Sequence, residues 1–180
     1  MYSNKNKKNI IQKDLILLGA GHSNIEVLRK FGKSPLTGLR LTIISNSYFS
    51  TYSGMVPGYL QGIYKWEEIN LDLVKLCRIY GHRLIIANIT KINTKNKSVY
   101  LENRPTVNYD LLSINLGIKS DSSKIKGAEK YCLKLKPISS IKENFDKLFK
   151  FNKINKNNNL IIIGAGAAGL EVALALKENF

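Results

Sequence analysis

Cysteine is scarce in this chain of 180 residues, which has only Cys77 and Cys132. The two lie too far apart in sequence to form a CxxC pair, which argues against a redox-active dithiol, a zinc site or a secreted disulfide scaffold. No run of about 18 apolar residues is present, so the sequence predicts no transmembrane helix. The polar, lysine-rich residues 1–13 lack the apolar segment of a secretory signal and predict a flexible lead-in. We therefore expect a soluble protein of a reducing, cytoplasmic compartment.

Acidic residues and arginines are also few. The chain has 28 Lys and Arg against 13 Asp and Glu, a formal net charge of +15. Such a charge makes nucleic acid or an anionic membrane a partner to consider. Surfaces that read bases favour arginine, however, and most of this charge is lysine spread along the chain. We interpret the lysines as dispersed surface residues that form no binding groove, and we expect no nucleic-acid partner.

A strand, a glycine turn, a helix and a second strand follow one another at the start of the chain. The apolar run Leu15–Leu18 predicts a strand buried on both faces of a parallel sheet. Gly19-Ala20-Gly21 comes next, then helical spacing over Ser23–Phe31 and a strand over Leu39–Ser45. Together they fit the size of a βαβ unit of a nucleotide-binding fold.

The first glycine turn departs from the full GxGxxG pattern. Asn24 stands where the third glycine belongs, and a side chain there predicts a slightly wider contact between helix and strand. The acidic residue expected after the second strand is replaced by Ser45 and Asn46, which could bind ribose hydroxyls less strongly. Spacing alone leaves a purely structural turn open, and His22 is as easily a turn residue as a contact to a diphosphate.

The second glycine motif is complete. The apolar run 160–163 predicts a buried strand, and an alanine- and leucine-rich helix follows the glycines. In this pattern the first glycine permits a tight turn, the second lets a diphosphate approach the backbone, and the third lets the helix pack closely on the strand. These roles fall to Gly164, Gly166 and Gly169. Between the two motifs the sequence predicts a β-meander over about 83–116, a helix over 137–150 and a linker over 151–159.

Two nucleotide motifs about 145 residues apart indicate one domain for each of two nucleotides. The chain resembles the pyridine nucleotide-disulfide oxidoreductase superfamily, and most closely its type II NADH dehydrogenase-like branch, which includes flavoprotein halves fused to selenide, water dikinase. The resemblance runs from about residue 14 to the end. It is carried by the segments 17–23, 51–58, 109–117 and 163–171.

The resemblance implies an α/β, Rossmann-like two-dinucleotide flavoprotein fold, with FAD in the first domain and NAD(P)H as co-substrate in the second. The FAD domain would span 14–150, with a parallel sheet and an inserted meander, and 160–180 would begin a truncated NAD(P) domain. Glu171 matches an acidic residue near the contact between flavin and nicotinamide, although a solvent-facing glutamate of a first helical turn remains open. The expected cofactor-binding residues are Gly19, Ala20, Gly21, His22, Ser23, Ser45, Asn46, Tyr52, Ser53, Gly117, Gly164, Gly166 and Gly169, and no metal site is expected.

The segment 51–58 occupies the region where the disulfide-reductase branch carries its paired cysteines, and it has none. The resemblance therefore implies that electrons pass from NAD(P)H through flavin directly to an external small-molecule acceptor such as a quinone. Membrane contact would be peripheral and made by segments beyond residue 180. Two alternatives stay open: a flavoprotein module serving selenium metabolism, and a non-catalytic FAD-binding module that senses redox state.

Overall fold

The computed structural model describes residues 10–154 and 159–177, so most of the predicted lead-in lies outside the described residues. Contacts divide the chain into two compact units. The first contains the residues up to Ser50 and Asp72–Leu116, and the second contains Thr51–Leu71 and the residues from Gly117 onward. The helices and strands in chain order are β1 (Lys13–Leu18), α1 (His22–Lys33), β2 (Leu39–Ser45), β3 (Phe49–Thr51), α2 (Val56–Leu60), β4 (Asn70–Asp72), α3 (Leu73–Tyr80), β5 (Arg83–Ile86), β6 (Ile89–Asn93), β7 (Ser98–Leu101), β8 (Arg104–Asn108), β9 (Leu111–Ile114), α4 (Ala128–Tyr131), α5 (Ile141–Ile154) and α6 (Ala167–Leu176), with 3-10 turns at Ser53–Met55, Trp66–Ile69 and Ile138–Ser140.

A parallel sheet of order β5-β2-β1-β9 forms the centre of the first unit. The strand β1 is apolar throughout Leu15–Leu18 because both faces of the sheet are covered. Leu15 and Leu17 pack in a cluster with residues of α1 and α3, while Ile16 and Leu18 pack against Val99 and Leu101 of β7. The predicted α/β fold with a parallel sheet is confirmed.

The inserted antiparallel sheet is smaller than the predicted meander. It consists of β6, β7 and β8 only, whereas β5 and β9 pair in parallel with β2 and β1. The prediction over 83–116 was wrong at both ends because apolar runs look alike in parallel and antiparallel sheets, and pairing decides between them. The strand β8 lies within the predicted range although Arg104, Pro105 and Thr106 are exposed and give it no apolar alternation.

An apolar cluster of α2, α5 and α6 forms the core of the second unit, with Val56, Phe145 and Leu176 among its buried members. The predicted helix over 137–150 is a 3-10 turn followed by α5, which continues to Ile154 and so makes the first part of the predicted linker helical. Residues 155–158 of that linker lie outside the described residues. The domain boundaries read from the sequence remain a prediction.

The apolar run 160–163 was predicted to be a buried strand, and that prediction was wrong. The run belongs to no strand, and Ile161 and Ile163 are 81% and 64% exposed. A strand requires a partner for its backbone hydrogen bonds, and no described segment pairs with this run.

Within the described residues we find no helix with the length and apolar character needed to cross a bilayer.

Candidate functional site

The carboxyl ends of three parallel strands meet at one edge of the sheet in the first unit. The register pairs Leu18 of β1 with Ile44 of β2 on one side and with Ile114 of β9 on the other. The predicted glycine turn after β1, the pair Ser45–Asn46 at the end of β2, and Asn115 after β9 therefore lie along the same edge. In open α/β sheets this edge is where nucleotides bind.

The glycine turn is held in a conformation that side chains disfavour. Gly19 has a φ of +80°, and its backbone N–H donates to the carbonyl of Ile44 at 2.8 Å. A Cβ on Gly19 would overlap the backbone carbonyl of Asn115. Gly21 is the N-cap of α1 and has extended backbone angles. Its backbone carbonyl accepts the N–H of Ile25 at 3.0 Å. Glycine is therefore required at position 19 both by conformation and by space.

The backbone N–H groups in the first turn of α1 have no acidic side chain as a hydrogen-bond partner within that turn. In the described structure no side chain caps this helix, and its first turn has no Asp or Glu. Its amides and the helix dipole there favour a negative group. His22 and Ser23, which were predicted cofactor contacts, are exposed in this first turn. An uncapped helix start behind a glycine turn fits the diphosphate of a dinucleotide.

Asn24 is fully buried and hydrogen bonded, a role that its place in the motif did not reveal. Its Nδ2 donates to the carbonyls of Leu18 at 2.9 Å and Gly19 at 2.8 Å. Its Oδ1 accepts the hydroxyl of Ser113 on β9 at 2.7 Å. The side chain is thus buried between the turn and the strands β1 and β9. No signal in the sequence pairs Asn24 with Ser113, because the two residues lie 89 positions apart.

Asn115 borders the turn from the neighbouring strand. Its backbone N–H donates to the carbonyl of Leu18 at 2.8 Å, and its carboxamide lies against the Cα of Gly21, so that a Cβ there would collide with it. We expected Gly21 to lack a side chain because a diphosphate approaches it. The structure adds a second reason, which is the approach of Asn115.

The residues at the end of β2 are tied to their own loop. Ser45 is buried, and its Oγ accepts the backbone N–H of Ser47 at 3.2 Å. The backbone carbonyl of Ser45 accepts the N–H of Ala87 at 2.9 Å. Asn46 is exposed. Of the two predicted ribose contacts, only Asn46 is therefore exposed. Ser50, which was not predicted, donates its hydroxyl to the carbonyl of Ala20 in the glycine turn.

The remaining predicted site residues lie in the second unit. Tyr52 is half exposed, and its backbone N–H donates to the carbonyl of Ile69 at 2.8 Å. Ser53 begins the 3-10 turn that leads into α2. Gly117 is exposed, and a Cβ there would meet no atom within 4 Å. Glu171 is exposed on α6.

The second glycine motif folds as a turn into α6. Gly164 has a φ of +111°, and Gly166 caps α6, which starts without a side-chain cap or an acidic residue in its first turn. A Cβ on Gly164 or Gly166 would meet no atom within 4 Å, whereas a Cβ on Gly169 would overlap the carbonyl of Gly164. The third glycine thus permits the close approach of helix and turn that its pattern predicts.

The two cysteines are free thiols in different environments. Cys77 is a buried, free thiol in the core beside β1, and burial raises its pKa to about 11. Cys132 is free and exposed in the second unit. A thiol with so high a pKa holds little thiolate at neutral pH, and the thiolate is the reactive form.

A fold with a glycine turn at the carboxyl edge of a parallel sheet and a second such turn before α6 defines a dinucleotide-binding protein. The family profile described as pyridine nucleotide-disulphide oxidoreductase matches residues 13–179, and the chain belongs to this family. Flavin dependence is a general property of that family.

The chain is similar to proteins named as NADH dehydrogenases. It is 26% identical over 176 residues to the NADH dehydrogenase-like protein YutJ of Bacillus subtilis, covering 93% of this chain and 46% of that protein. It is 23% identical over 177 residues to a type II NADH:quinone oxidoreductase of Staphylococcus haemolyticus, covering 93% of this chain and 44% of that protein. The chain therefore spans less than half the length of these relatives.

Solved structures share the fold. The chain superposes on NDH2 from Plasmodium falciparum in complex with NADH with a TM-score of 0.74 at 20% identity, covering 91% of this chain and 36% of that one. It superposes on the sulfide:quinone oxidoreductase of Aquifex aeolicus with a TM-score of 0.71 at 20% identity, covering 93% and 40%. At these identities the likeness establishes the fold.

Proposed function

We propose that this chain is the FAD-binding part of an oxidoreductase that takes electrons from NAD(P)H and delivers them to an external acceptor such as a quinone. The observation that carries the proposal is the turn 19–21, which leads into a helix start free of acidic residues and side-chain caps. Such a site fits an anionic diphosphate. The relatives named as NADH dehydrogenase-like and as NADH:quinone oxidoreductase support the same reaction class.

The residues of the first unit would hold the dinucleotide. The backbone amides of the turn and of the first turn of α1 would bind the diphosphate, with His22 and Ser23 beside it. Asn46 would reach the ribose hydroxyls, supported by Ser45, the last residue of β2, whose Oγ accepts the N–H of Ser47. Bound flavin supplies the two-electron chemistry that links a nicotinamide to a quinone, and the protein supplies binding and orientation.

The second unit would contribute the nicotinamide side of the reaction. The open turn at Gly164 and Gly166 is suited to the diphosphate of NAD(P)H for the same reasons as the first turn. Glu171 would lie near the contact between flavin and nicotinamide, and Tyr52, Ser53 and Gly117 would contribute to the flavin site. The absence of cysteines from 51–58 supports direct transfer to an external acceptor.

Ligand selectivity tests the flavin assignment. We expect FAD to bind at least tenfold more tightly than FMN, because FMN lacks the diphosphate and adenosine that the first unit would hold. ADP should compete with FAD for the same reason. Calorimetric titration of the purified chain with FAD, FMN and ADP measures all three. Equal affinity for FAD and FMN, or no competition by ADP, would contradict the assignment.

Anaerobic reduction tests the oxidoreductase assignment. Because the chain spans 44–46% of its named relatives, we expect it to bind FAD weakly and to show little turnover. NADH should nevertheless bleach the flavin band of a protein that spans the full length of these relatives, and a quinone should restore it. A non-catalytic module would bind FAD and show no bleaching.

A further inference from the structure

Two side chains hold the carbonyl groups of the glycine turn. Asn24 donates from Nδ2 to the carbonyl of Gly19 at 2.8 Å, and Ser50 donates its hydroxyl to the carbonyl of Ala20. Asn24 is fully buried, and its orientation is fixed because Ser113 donates to its Oδ1 at 2.7 Å. Two successive peptide groups therefore each have their oxygen engaged by a side chain.

The engaged oxygens determine where the N–H groups of the same peptides point. In a trans peptide the C=O and the following N–H point in opposite directions. When Asn24 holds the oxygen of Gly19, the N–H of Ala20 must point away from Asn24. When Ser50 holds the oxygen of Ala20, the N–H of Gly21 must point away from Ser50. Among the described residues neither amide donates to a backbone carbonyl.

We propose that Asn24 and Ser50 are positioning residues that orient the amides of Ala20 and Gly21 toward the diphosphate of the bound dinucleotide. This inference rests on the proposed function, since it deepens the account of the same site. An oxygen turned outward would repel a phosphate, whereas an amide turned outward donates to it. Asn24, which stands in place of the third glycine, thus helps to orient the peptide groups of the turn.

Removing each donor tests the proposal. Ser50→Ala should weaken FAD and ADP binding about tenfold, the loss expected for one oriented hydrogen bond. Ser50→Thr keeps the hydroxyl and should restore binding to within threefold. Thr90→Val is the matched control, because it removes a hydroxyl that donates to the carbonyl of Tyr100 in the same unit but far along the chain from the turn. It should leave both affinities unchanged.

Asn24→Asp tests the buried amide. It keeps the shape of the side chain, but a carboxylate cannot donate to the carbonyl of Gly19 and adds a negative charge behind the turn. We expect at least a hundredfold loss of affinity for FAD. Asn93→Asp is the control for charge, because the Oδ1 of Asn93 accepts the N–H of Asn96 and an aspartate accepts equally well. Ser113→Ala removes the hydrogen bond that fixes the orientation of the Asn24 carboxamide, and it should give an intermediate loss of affinity for FAD.

Direct observation of the amides separates positioning from support of the fold. Circular dichroism establishes which variants are folded, and ADP is then titrated while the backbone amides are followed by NMR. We expect ADP to shift the amide resonances of Ala20 and Gly21 in the wild type and in Thr90→Val, and to shift them much less in Ser50→Ala.

The outcomes distinguish this inference from the proposed function. If Asn24→Asp does not fold, Ser50→Ala and Ser113→Ala still test whether the turn is oriented by these side chains. Folded Ser50→Ala and Ser113→Ala variants that bind FAD and ADP within twofold of the wild type would overturn the inference and leave the proposed function intact. A wild-type chain that binds neither ligand would overturn both.

Discussion

Replacing Gly19 by alanine measures the close approach of Asn115, the residue after β9, to the glycine turn. Two costs add at this position. The φ of +80° is one that an L-residue adopts at a cost of about 1–2 kcal/mol. The new Cβ would also overlap the backbone carbonyl of Asn115, which cannot rotate aside as a side chain could, and such overpacking costs about 1–3 kcal/mol. We expect Gly19→Ala to lower the free energy of unfolding by about 2–5 kcal/mol.

Gly81→Ala is the matched control in the same unit. Gly81 has a φ of +69°, but a Cβ there meets no atom within 4 Å, so only the conformational cost applies. Its expected loss is about 1–2 kcal/mol. Urea unfolding followed by far-ultraviolet circular dichroism at 25 °C gives both values. The reasoning is refuted if the two variants lose the same stability to within about 0.5 kcal/mol, since the contact with Asn115 would then add nothing.

Three further predictions concern groups away from the turn. In the native protein iodoacetamide should label the exposed Cys132 and spare the buried Cys77, whose raised pKa of about 11 keeps it protonated; equal labelling by mass spectrometry would contradict the burial. Burial lowers the pKa of His82, whose Nε2 lies 3.1 Å from the carbonyl of Leu28, so the folded state favours the neutral ring and stability should fall as the pH drops below about 6.5. In His82→Gln the free energy of unfolding measured in urea should change less between pH 7 and 5 than in the wild type. An unchanged slope would contradict the role of His82. Asp14→Asn should cost about 1 kcal/mol at low salt and less at 1 M NaCl, because Asp14 receives two hydrogen bonds from a partly exposed Arg40 at 2.5 and 2.8 Å; a loss independent of salt would argue against the ion pair.

Local patterns in the sequence predicted the elements that position the candidate site. The apolar run Leu15–Leu18 reads as a strand covered on both faces, and the structure confirms β1 with its side chains in two clusters. The helix after the glycine turn and the strand β2 were likewise predicted close to their observed bounds. These predictions succeed because burial pattern and turn chemistry act within a few residues of one another.

Other features depended on partners distant in sequence. The sequence alone did not reveal that β5 and β9 join the parallel sheet, because an apolar strand carries no sign of the strand it pairs with. The run 160–163 has the composition of a buried strand but forms no strand and leaves Ile161 and Ile163 exposed, since no described segment pairs with it. The meander and this strand were therefore the places where the prediction was wrong.

The sequence by itself predicted the class of protein, because the spacing of glycines 19 and 21 and of glycines 164, 166 and 169 can be counted along the chain. Only the tertiary structure decided what surrounds the first turn. Asn24 meets Ser113 across 89 positions of sequence, and Ser50 meets Ala20 across 30. Hydrogen bonds have no sequence signature at such separations, so the orientation of the turn became visible only once β1, β9 and α1 were packed together.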